Sequence, residues 1–179
     1  MRQGIRSMTS FRRLLLGGLA AVIAGPAIAQ SCVQSSERTA FEVRALQSQL
    51  MVAALACGRD GEYNAFVRKF QGDLAASYRG IQGHFRRTAG GSHQRALDGF
   101  ITQLANDHSQ DGIRAGSHYC PLVTPLFGLA LAQRDVQGLA ELAVERNVLN
   151  PLAAPTCPAS APARATRPAA RTRSAAATR

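Results

Sequence analysis

The sequence places three residue types of a hydrolytic triad side by side at Asp107, His108 and Ser109, and Asp111 follows three positions after the histidine. In such a triad the histidine takes a proton from the serine hydroxyl while the carboxylate orients the imidazole. Consecutive residues of a helix point to different faces, so this tripeptide cannot form a triad by itself, although His108 and Asp111 can share a face. We therefore interpret the segment as a polar connection between helices, with a small exported hydrolase as the alternative.

Cys120 is a second candidate because His118 lies two residues before it, and a histidine can activate a thiol as a nucleophile. The chain has four cysteines, Cys32, Cys57, Cys120 and Cys157, and none of them forms a C-x-x-C motif. In an exported protein this pattern favours disulfide bonds over metal or redox chemistry. We expect Cys120 to be half of a disulfide rather than a nucleophile, and a hydrolase centred on His118 stays an alternative.

Sequence patterns for other kinds of chemistry are missing. The sequence contains no Walker loop, no G-x-S-x-G elbow, no H-E-x-x-H and no G-x-G-x-x-G. The histidines never lie three or four residues apart, so no helical pair of metal ligands is available; they are His84, His93, His108 and His118. The sequence therefore predicts no catalytic residue, no metal site and no cofactor.

Residues 1–29 have the pattern of a cleavable signal peptide. Basic residues without any acid precede an apolar run at 14–24, and Ala27-Ile28-Ala29 supplies a small-residue cleavage site. The apolar run rises only about 16 Å as a helix, which is too short for a bilayer core of about 30 Å. We predict export to the periplasm and a mature chain that starts at Gln30 without a transmembrane helix; lipidation of Cys32 is the alternative.

The positive charge of the chain, formally +10, is unevenly distributed. Residues 30–150 carry 12 basic and 11 acidic side chains, a net charge of +1. A nearly neutral body lacks the basic face that nucleic-acid binding requires, so nucleic acid is not an expected partner. Residues 151–179 consist largely of Ala, Pro, Arg, Thr and Ser and cannot bury enough apolar surface to fold, so we predict a disordered C-terminal tail.

The segment between signal and tail has helical patterns throughout. Residues 37–57 predict a first helix whose apolar second half, 50–57, is expected to be buried, and Gly58 is its predicted C-terminal cap. Residues 62–87 predict an amphipathic helix with an apolar stripe of Tyr63, Phe66, Val67, Phe70, Leu74, Tyr78, Ile81 and Phe85. Ser92 is the predicted N-cap of a third helix that ends near residue 107 or continues to 113. Thr124 and Pro125 predict the start of a last helix or broken pair, which Pro151 closes.

These elements predict an all-α fold for residues 30–150, a small four- or five-helix up-and-down bundle with disulfides. If the helices alternate in direction, Cys57 and Cys120 lie at one end of the bundle, and Cys32 and Cys157 lie at the other. We expect a Cys57–Cys120 bridge, which stabilises the domain by about 4 kcal/mol in the chain-entropy model. A Cys32–Cys157 bridge is expected to contribute less, because both residues flank the core in segments where the bond can stay open.

Three stretches of the sequence resemble a family of small exported α-helical proteins of Gram-negative bacteria. They are residues 44–55 followed by Cys57, then Tyr63-Asn64-Ala65-Phe66, then Leu104-Ala105-Asn106. The resemblance covers roughly residues 40–130 of the chain, and it agrees with a Cys57–Cys120 pair. No activity is assigned to that family, so the resemblance implies no catalytic residue.

These observations favour a non-enzymatic periplasmic structural or protein-interaction module, with another periplasmic protein as its partner. One alternative is a protein that binds an anionic envelope surface through its basic tail, where each arginine near anionic lipid contributes about 1 kcal/mol. The arginines of the tail are Arg164, Arg167, Arg171, Arg173 and Arg179. The other alternative is the small hydrolase.

Overall fold

The computed structural model of the protein describes residues 32–158, so the predicted signal peptide and most of the predicted tail lie outside the described residues. Within this range the chain forms α1 Ser35–Cys57, α2 Asp60–Lys69, α3 Gln71–Ala89, α4 His93–Ala115, α5 Tyr119–Val123, α6 Pro125–Ala132 and α7 Val136–Glu145. Only Phe70 separates α2 from α3, and only Thr124 separates α5 from α6, so the helices form five consecutive rods. The predicted all-α bundle is confirmed.

Helix α1 is the centre of the bundle and contacts α2, α3, α4, α5 and α7. Its first turn is fixed by the Glu37 carboxylate, which accepts a hydrogen bond of 2.9 Å from the backbone N–H of Gln34. Helix α1 ends at Gly58, as the sequence predicts. The φ of Gly58 is 63°, which is left-handed, and its N–H donates a hydrogen bond to the Ala54 carbonyl.

The predicted amphipathic helix over 62–87 starts two residues earlier and is bent at Phe70, where φ is −109° and ψ is 21°. Backbone hydrogen bonds continue through the bend, because Phe70 donates to Phe66 and Leu74 donates to Phe70. The apolar stripe faces the core as predicted. Gly80 in α3 lets this helix approach α1 closely, because a Cβ at Gly80 would lie only 3.2 Å from the Cβ of Ala40.

The other helix boundaries differ in two places from the predictions. Ser92 does not cap α4 through its side chain, because its hydroxyl donates to the Ala89 carbonyl instead. Helix α4 also continues to Ala115, beyond both predicted ends, which removes the connection expected around His108. Pro125 begins α6 as predicted, but Thr124 is itself helical and makes no side-chain cap.

The helices α3 and α4 lie on α1 in opposite directions. Glu37 near the start of α1 pairs with Arg87 near the end of α3, and Arg44 further along α1 lies over Tyr78 further back in α3, so these two helices run antiparallel. Phe41 packs edge-on against Phe100 near the start of α4, with ring centroids 5.0 Å apart, and later residues of α1 meet later residues of α4, so these two run parallel. No helix within residues 32–158 is long and apolar enough to cross a membrane.

Residues 151–158 belong to the folded body, which corrects the predicted domain boundary after residue 150. Val33 is fully buried, donates a backbone hydrogen bond of 2.8 Å to Pro155, and accepts one of 2.8 Å from Cys157. Arg38 donates to the hydroxyl of Thr156 at 3.0 Å. Composition alone could not show this, because the pairing uses backbone groups of both chain ends rather than large apolar side chains.

Candidate functional site

All four cysteines form disulfide bonds. Cys57 is bonded to Cys120 and ties the end of α1 to the start of α5, and Cys32 is bonded to Cys157 at the opposite end of α1. Cys32 is only 7% exposed, so the second bridge lies against the core rather than outside it, contrary to the expectation from the sequence. Because Cys120 has no free thiol, it cannot act with His118 as a nucleophile.

The structure separates the residues of the triad-like tripeptide. His108 is fully buried, and its Nε2–H donates a hydrogen bond of 3.0 Å to the Leu149 carbonyl. Ser109 is exposed and its hydroxyl donates to the Ala105 carbonyl at 2.8 Å. The imidazole and the hydroxyl therefore have different partners on different sides of α4. Within residues 32–158, no group of three or more His, Cys, Asp or Glu side chains is arranged to hold a metal ion.

A buried ionic cluster that sequence reasoning missed joins α1 to α3. The Glu37 carboxylate lies within ion-pair distance of Arg87 and 3.1 Å from Nδ1 of His84. Burial alone would raise the pKa of Glu37, but the Gln34 N–H and the Arg87 and His84 side chains together lower it. Arg87 also donates to the Cys32 carbonyl at 2.8 Å. The cluster therefore holds the Cys32–Cys157 end of the fold against α3.

The apolar second half of α1 is not buried on every side, contrary to the prediction. Leu50, Ala53 and Ala54 face the core, whereas Leu55 is 75% exposed and Ala56 is also exposed. Across from them on α4, Ile113 is 70% exposed. A large aliphatic side chain left in water forgoes about 1.5–3 kcal/mol that burial would supply. Leu55 and Ile113 therefore form an exposed apolar patch across α1 and α4.

Between these two side chains lies an apolar groove of about 490 Å³ beside the Cys57–Cys120 bridge. Its α1 wall consists of Val52, Leu55 and Ala56. Its α4 wall consists of Ser109, Gly112 and Ile113 and is continued by Gly116. We call this surface the bridge groove. None of the residues that line it is charged, and its volume is within the range of binding clefts in proteins.

Tyr119 forms the floor of the bridge groove and is 6% exposed. Its ring lies on Gly112, where a Cβ would come within 3.2 Å of the ring carbons. Its hydroxyl accepts a hydrogen bond of 2.9 Å from Nε2 of Gln49. Burial and the Asp111 carboxylate raise the pKa of Tyr119, so the hydroxyl stays neutral and serves to position the ring.

A second cavity of about 260 Å³ lies on the other side of Tyr119. Leu122, which is 73% exposed, lines it together with Asp111 and Arg146. The exposed apolar residues Leu55, Ile113 and Leu122 thus surround the two cavities that share Tyr119.

Comparison with known proteins does not supply a function for this surface. The chain matches no protein-family model, no curated protein and no solved structure, so its site is interpreted from its own geometry.

Proposed function

We propose that the protein is a non-enzymatic module of the periplasm that binds another exported protein through the bridge groove. The exposure of Leu55 and Ile113 on facing walls of one uncharged cleft carries the proposal. Apolar patches that stay exposed in a folded protein are typical of interaction sites.

The chemistry of the groove favours the apolar face of an amphipathic helix as its occupant. A lining without charged side chains matches an uncharged surface and disfavours an acidic or basic ligand. The small residues Ser109, Gly112 and Gly116 on the α4 side leave room for a partner helix to approach closely. Helix-in-groove recognition uses apolar anchors at three- and four-residue steps on the bound helix.

The two disulfide bonds support export to an oxidising compartment, because such bonds are rare in the reducing cytosol and common in exported proteins. The Cys57–Cys120 bridge also serves binding directly. It fixes the α1 wall of the groove to the element that carries the Tyr119 floor, so little conformational freedom is left to lose when a partner binds.

Binding to an anionic envelope surface is the alternative function, and it rests on the arginines from Arg164 to Arg179. All of them lie outside the described residues, whereas the described residues have a net charge of only +1. The two functions therefore depend on different parts of the chain, and truncation separates them.

A labelled amphipathic helix of about 14 residues, roughly four turns, tests the groove by fluorescence anisotropy. We expect it to bind the wild-type protein, and Leu55→Asp should weaken that binding more than about tenfold, because a charge replaces an apolar contact. Val144→Asp is the matched control, since Val144 is 62% exposed on α7 and does not line the groove.

Loss of binding in Leu55→Asp together with wild-type affinity in Val144→Asp supports the proposal. Equal affinities of the two variants, or no binding by the wild-type protein, would overturn it. Denaturant unfolding of both variants checks that the exposed substitutions leave the fold intact.

A further inference from the structure

A smaller cavity of about 160 Å³ lies between α1, α2 and α4 and shares no residue with the bridge groove. Helix α1 supplies Arg44, Ser48 and Met51, which lie on one helical face at steps of four and three residues. Tyr63 of α2 and Leu104 of α4 line the opposite sides. Three helices thus converge on one cavity, and a cationic side chain is among those that line it.

Arg44 has hydrogen-bonding capacity that the protein leaves unused. Its Nη1 donates to the Gln47 side chain at 2.8 Å, but its buried Nε has no hydrogen-bond partner. No acidic side chain within residues 32–158 forms an ion pair with it. By contrast, Arg87, the other partly buried arginine on the adjoining helix, is paired with Glu37.

The surroundings of Arg44 make this unpaired charge costly. Burial lowers the pKa of Arg44, and the nearby Tyr63 and Tyr78 side chains oppose that shift. The guanidinium lies over the Tyr78 ring, 5.7 Å from its centroid, which provides a cation–π contact but no hydrogen-bond acceptor. An arginine keeps its charge in proteins, and a counter-charge or further hydrogen bonds would offset the cost of desolvation that remains.

The lining of the cavity combines polar and apolar side chains. The hydroxyl-bearing residues Ser48 and Tyr63 line it together with Arg44, and Ser48 is 7% exposed. Met51, Ile101 and Leu104 supply apolar surface in the same cavity. A space of this volume holds roughly five water molecules at about 30 Å³ each, so an occupant has to be small.

We infer that this cavity binds a small organic acid, with Arg44 holding the carboxylate and the Met51, Ile101 and Leu104 surface contacting a short alkyl chain. The planar fork of a guanidinium matches a carboxylate, which can accept from both terminal Nη groups at once. The inference is independent of the bridge groove, because the two sites share no residue.

Titration calorimetry on the mature protein tests this site with butyrate and 4-methylpentanoate as probes and with 4-methylpentanamide as the uncharged counterpart. We expect a branched or linear short-chain acid to bind and the amide not to bind. Arg44→Gln, which keeps donors but removes the charge, should weaken acid binding at least about tenfold. Arg86→Gln is the control, because Arg86 is exposed on α3 and lies outside the cavity.

Binding of acid and amide with equal affinity would overturn the inference, as would an Arg44→Gln variant that binds like the wild type. No saturable heat with any acid would do the same, and so would binding of inorganic phosphate in preference to both acids. If Arg44→Gln unfolds, Tyr63→Phe removes one hydroxyl from the cavity lining while keeping the ring. Unchanged acid affinity in Tyr63→Phe, together with equal binding of acid and amide by the wild-type protein, again contradicts a carboxylate site.

Discussion

Nε2 of Gln49 donates a 2.9 Å hydrogen bond to the hydroxyl of Tyr119, and this buried contact joins the middle of α1 to the start of α5. The next residue along the chain, Cys120, is bonded to Cys57 at the end of α1. Two attachments therefore fix the Tyr119 floor relative to the α1 wall of the bridge groove. A groove held in this way can recognise a partner without first being ordered.

The two disulfides should contribute similarly to stability. Breaking Cys57–Cys120, with 63 residues of separation, or Cys32–Cys157, with 125, should each lower the free energy of unfolding by about 4–5 kcal/mol in the chain-entropy model. Serine replacements measured by denaturant unfolding check this. Within each pair, the two single variants and the double variant should agree, because each of them opens the same bridge. A much smaller loss for Cys32→Ser would show that the pairing of the chain ends contributes little.

The Cys32–Cys157 bridge lies in a segment whose structure the composition does not predict. Composition predicts that the chain beyond residue 150 is free of the core, and this prediction is wrong for residues 151–158, because backbone hydrogen bonds to Val33 hold that segment against the body. Sequence patterns show where apolar side chains recur. Pairing between the backbones of the two chain ends does not depend on side chains, so it produces no periodicity in the sequence. The helical stripe from Tyr63 to Phe85 was predictable for the opposite reason, since its spacing alone defines a buried face.

Burial of His108 should make the protein less stable as the pH falls. Burial lowers the pKa of His108 below its ordinary value near 6.5, although the Leu149 carbonyl, Asp107 and Asp111 partly oppose that shift. Below about pH 6.5 the His108 side chain takes up a proton in the unfolded chain but resists protonation in the folded protein. The free energy of unfolding therefore decreases as the pH falls. His108→Gln keeps a donor for Leu149 and should reduce this decrease between neutral pH and about pH 5.

Unfolding curves at several pH values measure this effect. His118→Gln is the matched control, because it makes the same substitution at an exposed histidine. A His108→Gln variant with the same slope as the wild type between these pH values would contradict the assignment to His108.

Truncation should separate the tail from the folded body. A chain that ends at Pro158 keeps the Cys32–Cys157 bridge and should unfold like the full mature chain, whereas a chain that ends at Asn150 loses that bridge and should be less stable. If the protein binds vesicles of anionic lipid, the Pro158 truncation should abolish that binding, and in the intact chain it should weaken from low to physiological salt as charges are screened over about 8 Å. Retention of vesicle binding by the truncated protein would place the anionic-surface site on the body.

The functional surfaces were less predictable than the fold. The run from Leu50 to Cys57 is apolar on every side, which is typical of a buried helix, yet Leu55 is 75% exposed. The sequence could not show that the facing part of α4 offers Ser109 and Gly112, which are too small to cover Leu55. It also could not show where the Arg44 guanidinium lies, because helical spacing assigns a residue to a face but not to a cavity.

Site-specific photo-crosslinking tests the central claim most directly. A photoreactive phenylalanine analogue at position 55 or 113, in the bridge groove, is compared with the same analogue at position 144, which is also exposed and lies on α7 outside the groove. In intact cells that export the protein, positions 55 and 113 should capture the same partner, and mass spectrometry should locate the crosslink on the apolar face of a helix in another exported protein. Capture of the same species from position 144, capture only of a second copy of this chain, or no groove-dependent product would contradict the proposed function.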